Sequence, residues 1–328
     1  MEIIGGKRVN MEVVGRDFKY YIFDWDDNIL HMPTRIYLEK KGADGVWRPT
    51  SVSTGTFALV RTDVEHYRMP SEGGREAAFR DFQDPPTQNT RAECEGLAPE
   101  ACEDLAFIRD TRAALAKIAE GEAPGPSFET LRKTLREGRI FAIVTARGHA
   151  AITIRRAVRI FIDEVLTAEE REEMLANLRG YRLCFDKVTE FGTDEEELDY
   201  FLSMCRYHAV TSPDFKEKMS DDEDFSQRLA EAPSEQKPEL AKEFAIRDFV
   251  DHLFRTMQRT GGIGGRQVAV GFSDDDSGNV TAVSDFIREE LSRHYSSFKF
   301  VVYDTSDPDL SNGRKVTVAG QLELDLGV

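Results

Sequence analysis

Long apolar runs are missing from this sequence: no stretch reaches the 18 or more residues that a membrane-spanning helix needs, so no membrane partner is expected. The opening MEIIGGKRVNMEVVGRD also lacks the apolar core and small-residue cleavage site of a secretory leader, and a cytoplasmic location is the expectation. Cysteine is scarce. Cys94, Cys102, Cys184 and Cys205 are widely spaced and form no CxxC pair, which argues against a structural zinc site or a disulfide framework and leaves reduced thiols. Positive charge is the minority sign, with 43 Lys and Arg against 60 Asp and Glu and a net charge of −17. A field of that sign repels nucleic-acid phosphates and makes nucleic acid an unlikely partner, while leaving room for a local basic pocket. Internal repeats and low-complexity blocks are absent as well.

What is present is globular. The 328 residues are 40% apolar and 10% aromatic, enough for one elaborated domain or two. Four short runs rich in β-formers stand out: KYYIFD at 19–24, RIFAIVT at 139–145, QVAVGF at 267–272 and FKFVVY at 298–303. Continuous apolar runs bounded by turn residues suit strands buried on both faces of a parallel sheet. Helical patterns lie between them. One spans 127–137 with Ser127 as N-cap, and another follows Gly148 in HAAITIRRAVRIFIDEVL. Thr167 to Glu170 reads as a capping box with Gly180 as the helix stop, and a helix from Pro238 to about Arg259 should end at Gly261 and Gly262. Strand alternating with helix predicts an α/β fold, a Rossmann-like parallel sheet flanked by helices.

Two long stretches break the alternation. Residues 31–122 hold IYLEKKGADGVWRPTSVS, a β-hairpin turning at Asp44-Gly45, followed by polar helical sequence interrupted at Pro85-Pro86. They are expected to form an inserted α+β cap or lid, since they leave directly from the loop after the first strand. Residues 182–237 mix a short strand in YRLCF, a helix in DEEELDYFLSMCRY and a solvated acidic loop in SDDEDF, and form a candidate second insertion. Residues 1–30 and 123–328 then make the core.

Ligands of open parallel sheets bind at the carboxyl ends of the strands. There the first strand ends in Asp24-Trp25-Asp26-Asp27-Asn28, the second in Thr145-Ala146-Arg147-Gly148, and the third in Ser273-Asp274-Asp275-Asp276-Ser277-Gly278-Asn279. Two acidic loops meeting at one edge imply a cation, and all-oxygen donors favour Mg²⁺. Singly, each feature has a plainer reading. Asp24 and Asp26 could be an acidic turn, Thr145 a strand-end hydroxyl, Arg147 the partner of a local acid, and Trp25 and His31 packing residues. The DDDSGN run fails the EF-hand pattern, because Gly278 comes one place early when Asp274 is position one.

In order, these elements resemble the haloacid-dehalogenase-like hydrolases. DWDDNIL resembles the family's Asp-x-Asp-x-Thr/Val motif, FAIVT its strand ending in Thr, and VAVGFSDDD its strand ending in paired Asp. Asn28 stands where Thr or Val is usual, and Asp27 where Gly is common. The resemblance implies an Mg²⁺-dependent phosphatase acting on a small phosphorylated metabolite. Asp24 would be the nucleophile and Asp26 the acid and then the base. Thr145 would bind a phosphoryl oxygen, with Asn28 and Arg147 as further substrate contacts. Asp24, Asp26, Asp274 and Asp275 would serve as metal ligands, with Asp276 an alternative in the same run. The family's lysine is assigned to Lys242, with Lys237, Lys216 and Lys218 as alternatives. A phosphotransferase or phosphomutase would share Asp24 and Asp26. A metal-binding regulatory protein that kept the fold and lost turnover is the reading from outside the enzymes.

Overall fold

A computed structural model describes residues 1–85, 104–233, 237–260, 267–307, 310 and 312–320. Gly261, Gly262, Pro86, Cys94 and Cys102 lie outside the described residues. The chain opens with a small hairpin, β1 (Glu2–Ile4) and β2 (Lys7–Val9), then enters β3 (Phe18–Phe23). A three-stranded antiparallel sheet follows, built from β4 (Ile36–Lys41), β5 (Trp47–Val52) and β6 (Tyr67–Arg68) in the order β5-β4-β6. The remaining strands are β7 (Phe141–Thr145), β8 (Arg206–Ala209), β9 (Val268–Asp274), β10 (Phe298–Asp304) and β11 (Arg314–Gly320). With β3 they form a six-stranded sheet ordered β11-β10-β9-β3-β7-β8. All neighbours in it pair in parallel except β10 with β11. The fold is therefore α/β, a mostly parallel sheet flanked by helices.

Side chains alternate across this sheet. Phe23, Phe141 and Ile143 face one layer, where they meet the helices Ala106–Ala119, Phe128–Arg136, Ala151–Val165 and Ala168–Tyr181. Ile22, Val144, Val270, Phe272, Phe300 and Val302 face the other, against Lys237–Arg259 and Ser277–Phe286. Both faces are buried, which is why the strands read as continuous apolar runs. From β3 the chain steps to β7 and β8 on one side, then returns to β9 and β10 on the other. The carboxyl end of β3 is thus a topological switch point, the place at which ligands of such sheets bind.

Several expectations need correction. YRLCF is not a strand: the Ala168–Tyr181 helix continues through it as a π-helical turn, Arg182–Asp186. Gly180 does not stop that helix. A Cβ there would lie 2.1 Å from the Asn10 carbonyl oxygen, so the glycine admits the N-terminal segment against the helix. DEEELDYFLSMCRY is helical only to Met204, and Arg206–Ala209 becomes the sheet-edge strand β8. The stretch 182–237 therefore continues the layered fold rather than leaving it. Within it, Asp222 of the acidic run caps the helix Glu223–Glu231 through the Phe225 amide, 3.1 Å away. In 31–122, the hairpin turns as expected, with Gly45 at φ 74°, but Phe107, Ile108 and Leu115 of the helix Ala106–Ala119 join the main core. The Thr167–Glu170 capping box is present. Among the described residues, no helix is long and apolar enough to cross a membrane.

Gly180→Ala should lower the thermal unfolding midpoint, costing about 1–3 kcal/mol by overpacking. Gly55→Ala, where a Cβ meets nothing within 4 Å, should be neutral or slightly stabilising. Equal midpoints for the two variants would refute the close approach at Gly180.

Candidate functional site

The switch point brings together the residues at the ends of β3, β7 and β9. Asp24 is 5% exposed, and its amide donates to the Ser273 carbonyl at 3.1 Å, so the ends of β3 and β9 are in register. The ammonium of Lys242, 3% exposed, lies 2.6 Å from Asp274 Oδ2 and 3.3 Å from Asp24 Oδ1. Lys242 sits in the second turn of the long helix Lys237–Arg259, whose Ala245, Phe249, Val250 and Leu253 are buried on the sheet. That packing aims the lysine at the strand ends. The alternatives lie elsewhere: Lys237 and Lys216 are exposed, and Lys218 pairs with Asp248 at 2.7 Å.

Asp274 Oδ1 accepts from the Asp276 amide and from Asn279 Nδ2, both at 3.0 Å. Asp276 turns away and caps the helix Ser277–Phe286 through the Gly278 amide at 2.8 Å. Within the acidic run Asp274 therefore faces Lys242, and Asp276 faces the start of its own helix. Charge is unbalanced here. Burial, with Asp274 and Asp27 nearby, pushes the Asp275 carboxyl up to about 7. Burial also raises Asp24 well above the usual carboxylate range, against the pull of Lys242. Burial opposes the ammonium of Lys242 too, but Asp274 and Asp24 overcome it and hold the lysine above its ordinary range.

Asp26 belongs to a second group. Arg147 Nε reaches Asp26 Oδ2 at 2.8 Å and Arg147 Nη2 reaches Oδ1 at 2.5 Å, a two-point ion pair. Thr145 Oγ1 adds a third contact, donating to Oδ2 at 3.2 Å. Arg147 is 1% exposed, with Phe82 and Phe107 rings 4.5 and 5.1 Å from its guanidinium carbon. Its Nη2 also donates to Thr34 Oγ1 at 2.8 Å, and Thr34 in turn donates to Asp110 at 2.5 Å. Arg147 Nη1 is buried without a partner. The guanidinium therefore faces Asp26 here, where a substrate contact was expected, and Thr145 faces the same carboxylate.

Asn28 is corrected outright. Fully buried, it donates from Nδ2 to the Asp24 carbonyl at 3.0 Å and to Ser273 O and Oγ at 3.2 and 3.1 Å. Its Oδ1 accepts from Thr305 Oγ1 at 2.9 Å. No hydrogen-bonding atom of Asn28 is left for a substrate; it ties the ends of β3, β9 and β10 together. Ser127 likewise forgoes capping and donates to Ser273 Oγ at 3.1 Å. Asp27 takes φ 55°, the left-handed region where glycine is at ease and Asp is tolerated. Its carboxylate accepts from Thr54 Oγ1 at 3.0 Å and contacts His31 Nδ1 at 3.0 Å. His31 is about half exposed and Trp25 is fully buried against Phe107.

Sequence reasoning named Asn279 without giving it a role, and it missed Thr305 and Thr34. Asn279 lay in plain view, five residues after Asp274 at the start of a helix, and Thr305 directly follows the fourth apolar run. Thr34 carried no signal.

As for a divalent cation, the donor chemistry fits: Asp24, Asp274 and Asp275 supply only oxygen and exceed the single charge of Lys242. The side-chain arrangement does not yet converge. Among the described residues no group of three or more His, Cys, Asp or Glu is set to hold a metal ion. Asp26, expected as a ligand, points its carboxylate at Arg147 instead. Family models, curated proteins and solved structures yield no match to the chain.

Asn28→Ala should cost about 2–3 kcal/mol, because buried groups on three strand ends lose their partner. Asp275→Asn should do the opposite, in a pH-dependent way. The folded protein keeps a proton on this carboxyl that the unfolded chain has released, so its contribution to stability falls from about pH 4 to about 7 and is gone above. The midpoint advantage of Asp275→Asn over the parent should therefore grow between pH 5 and pH 8 and then level off. An advantage independent of pH would contradict the burial of that charge.

Proposed function

We propose that the chain is an Mg²⁺-dependent phosphatase of haloacid-dehalogenase-like type, in which Asp24 takes up the phosphoryl group. The observation that carries this reading is the meeting of Lys242 with Asp24 and Asp274 at the switch point, at 3.3 and 2.6 Å. The pairing of a first-strand carboxylate with a lysine 218 residues later is costly to bury and has no evident use in packing alone.

Asp24 Oδ would attack phosphorus as the bond to the leaving oxygen breaks, giving an aspartyl-phosphate and an alcohol once that oxygen gains a proton. Water would then attack phosphorus, lose a proton and regenerate Asp24 with release of phosphate. Lys242 would hold charge between Asp24 and the transferring group, and Thr145 would donate to a phosphoryl oxygen. Mg²⁺, held by Asp24, Asp274 and Asp275, would supply neutralising charge at the same point. Asp26 would move the protons, for which it must leave Arg147. An incoming phosphate dianion supplies the reason, since it competes for the guanidinium and can use the unpartnered Nη1. The three-stranded sheet inserted after β3 would act as the lid, and a small phosphorylated metabolite is the substrate class that such a lid encloses.

The Asp26–Arg147 pair also favours a second reading, a cation-binding protein without turnover. An aryl phosphate assay with Mg²⁺, with chelator, and with Asp24→Asn separates the two. Mg²⁺-dependent hydrolysis lost by at least 10³-fold (roughly 4 kcal/mol) in Asp24→Asn is expected. Mg²⁺ that raises the unfolding midpoint at pH 8, without hydrolysis of aryl, acyl or sugar phosphates, would favour the second reading.

A further inference from the structure

The helix Lys237–Arg259 brings Lys242 to the carboxylates near its start, and its far end carries a different kind of charge. At a rise of ~1.5 Å per residue, Arg255 and Arg259 stand roughly 20–25 Å from Lys242 along the helix axis. An open groove there is lined by His252, Arg255, Gln258 and Arg259. Spacings of three, four and seven residues put His252, Arg255 and Arg259 on one flank of the helix. Arg255, Gln258 and Arg259 are exposed, so a solute reaches them directly. Arg206, the first residue of β8, adjoins this flank: its Nη2 donates to His252 Nδ1 at 2.6 Å and its Nη1 to the Cys205 carbonyl at 3.1 Å.

In a chain of net charge −17, three guanidiniums gather here with little to oppose them. Asp251 comes no nearer to Arg255 than 3.9 Å and accepts from the Tyr295 hydroxyl. Asp248 is engaged by His208 and Lys218, at 3.2 and 2.7 Å. Arg206 and Arg259 form no ion pair among the described residues, and Arg259 donates to Thr256 Oγ1 at 3.3 Å. The group bears the marks of like charge held together. Burial holds Arg206 below its ordinary range, and Arg259 adds to that. Burial and then Arg206 push His252 down to about 4, so the imidazole is neutral and its Nε2 donates to the Met204 carbonyl at 2.8 Å. The helix dipole accounts for Arg259 in the last turn, but its effect fades before Arg255 and does not extend to Arg206. Arg255 and Arg259, one turn apart, repel each other.

We propose that this groove is a binding site, separate from the carboxylates at Asp24, for an anion with two linked phosphoryl groups. One helical turn, ~5–6 Å between Cβ atoms, lets the Arg255 and Arg259 side chains converge on neighbouring phosphoryl groups. Each guanidinium presents paired N–H donors that match phosphate oxygens, and the Gln258 amide adds another donor on the same wall. Arg206 contributes its field from the adjoining strand. A bound dianion or trianion would relieve the repulsion that the cluster otherwise carries.

The test titrates the full chain with pyrophosphate by calorimetry at fixed ionic strength, with orthophosphate as the single-group comparison. Chelator is present throughout, so that no cation recruits the probe to the carboxylates at Asp24. Saturable binding at one site is expected, with pyrophosphate tighter than orthophosphate. Arg255→Gln combined with Arg259→Gln should weaken it roughly tenfold or more. A control chain with Arg8→Gln and Arg61→Gln, two exposed arginines elsewhere, loses the same charge and should bind as the parent does. Without anion, the groove variant should unfold at or above the parent's midpoint, because a like-charge pair is gone. Pyrophosphate should raise the midpoint of the parent and not of the groove variant. Absence of saturable pyrophosphate binding to the parent would overturn the proposal. So would equal weakening in the control chain, or orthophosphate binding as tightly as pyrophosphate. None of these results bears on the phosphatase reading, which is tested at Asp24.

Discussion

Carboxylates brought to neighbouring strand ends with one lysine between them set the terms for the rest of this molecule. The switch-point topology brings the ends of β3 and β9 side by side, and each end carries acid: buried Asp24 on one, buried Asp274 and half-buried Asp275 on the other. Like charges ~5 Å apart repel by roughly 3 kcal/mol even at an effective dielectric constant near 20. Lys242 offsets part of that, and it can do so only because the helix Lys237–Arg259 is anchored on the sheet by its apolar face. The residue of negative charge appears in the raised carboxyls of Asp24 and Asp275. It has to be met by protons or by an external cation, and an all-oxygen site prefers a hard one.

A cluster that repels itself needs a frame that does not yield. Asn28 supplies it, spending both donors and its acceptor on the ends of three strands. The chain crosses this point closely, since a Cβ on Gly125 would lie 2.6 Å from the Asn28 carbonyl carbon, and Ser127 closes the network onto Ser273. The polar residues nearest Asp24 are therefore divided in purpose. Asn28, Ser127, Ser273 and Thr305 hold backbone in place, and Asp24, Lys242, Asp274 and Asp275 hold charge.

This division explains what could and could not be read from the residues alone. The strands of the sheet were legible, because burial on both faces leaves continuous apolar runs. So was the placement of Lys242 beside Asp24 and Asp274, because one helix leads toward the run that ends in Asp274. β8 was not legible: RYHA is short, mixed in polarity, and follows a helix without an intervening turn signal. Gly180 looked like a helix stop because a glycine admitting a distant backbone and a glycine ending a helix are the same letter. Asn28 looked like a substrate contact because hydrogen-bond capacity in a loop does not reveal where it is spent. Asp27 is the converse case. Its left-handed φ accounts for an acid where glycine is common in the family it resembles, and Thr54 and His31 use the carboxylate that glycine would lack.

The pair between Asp26 and Arg147 joins the charged site to the inserted sheet. Arg147 is held by Phe82 on the insertion and Phe107 on the core, and the amide of the next residue, Gly148, donates to the Phe82 carbonyl at 2.8 Å. Two further ties fix the same junction: Asp84 accepts from the Ala150 amide at 2.7 Å and from Thr153 Oγ1 at 2.9 Å, at the start of the helix that follows. Displacing the inserted sheet thus strips one aromatic face from the guanidinium and exposes the ion pair to water, where such a pair is worth far less. On the phosphatase reading, opening the insertion and freeing Asp26 become one event. The closed arrangement then rests with its proton-transfer group engaged, and a phosphate dianion entering from the open side meets a guanidinium already loosened from its partner. On the reading without turnover the same contacts form a permanent lock. The difference between the two lies in whether a dianion can outbid one carboxylate for Arg147, a competition that charge alone tilts toward the dianion.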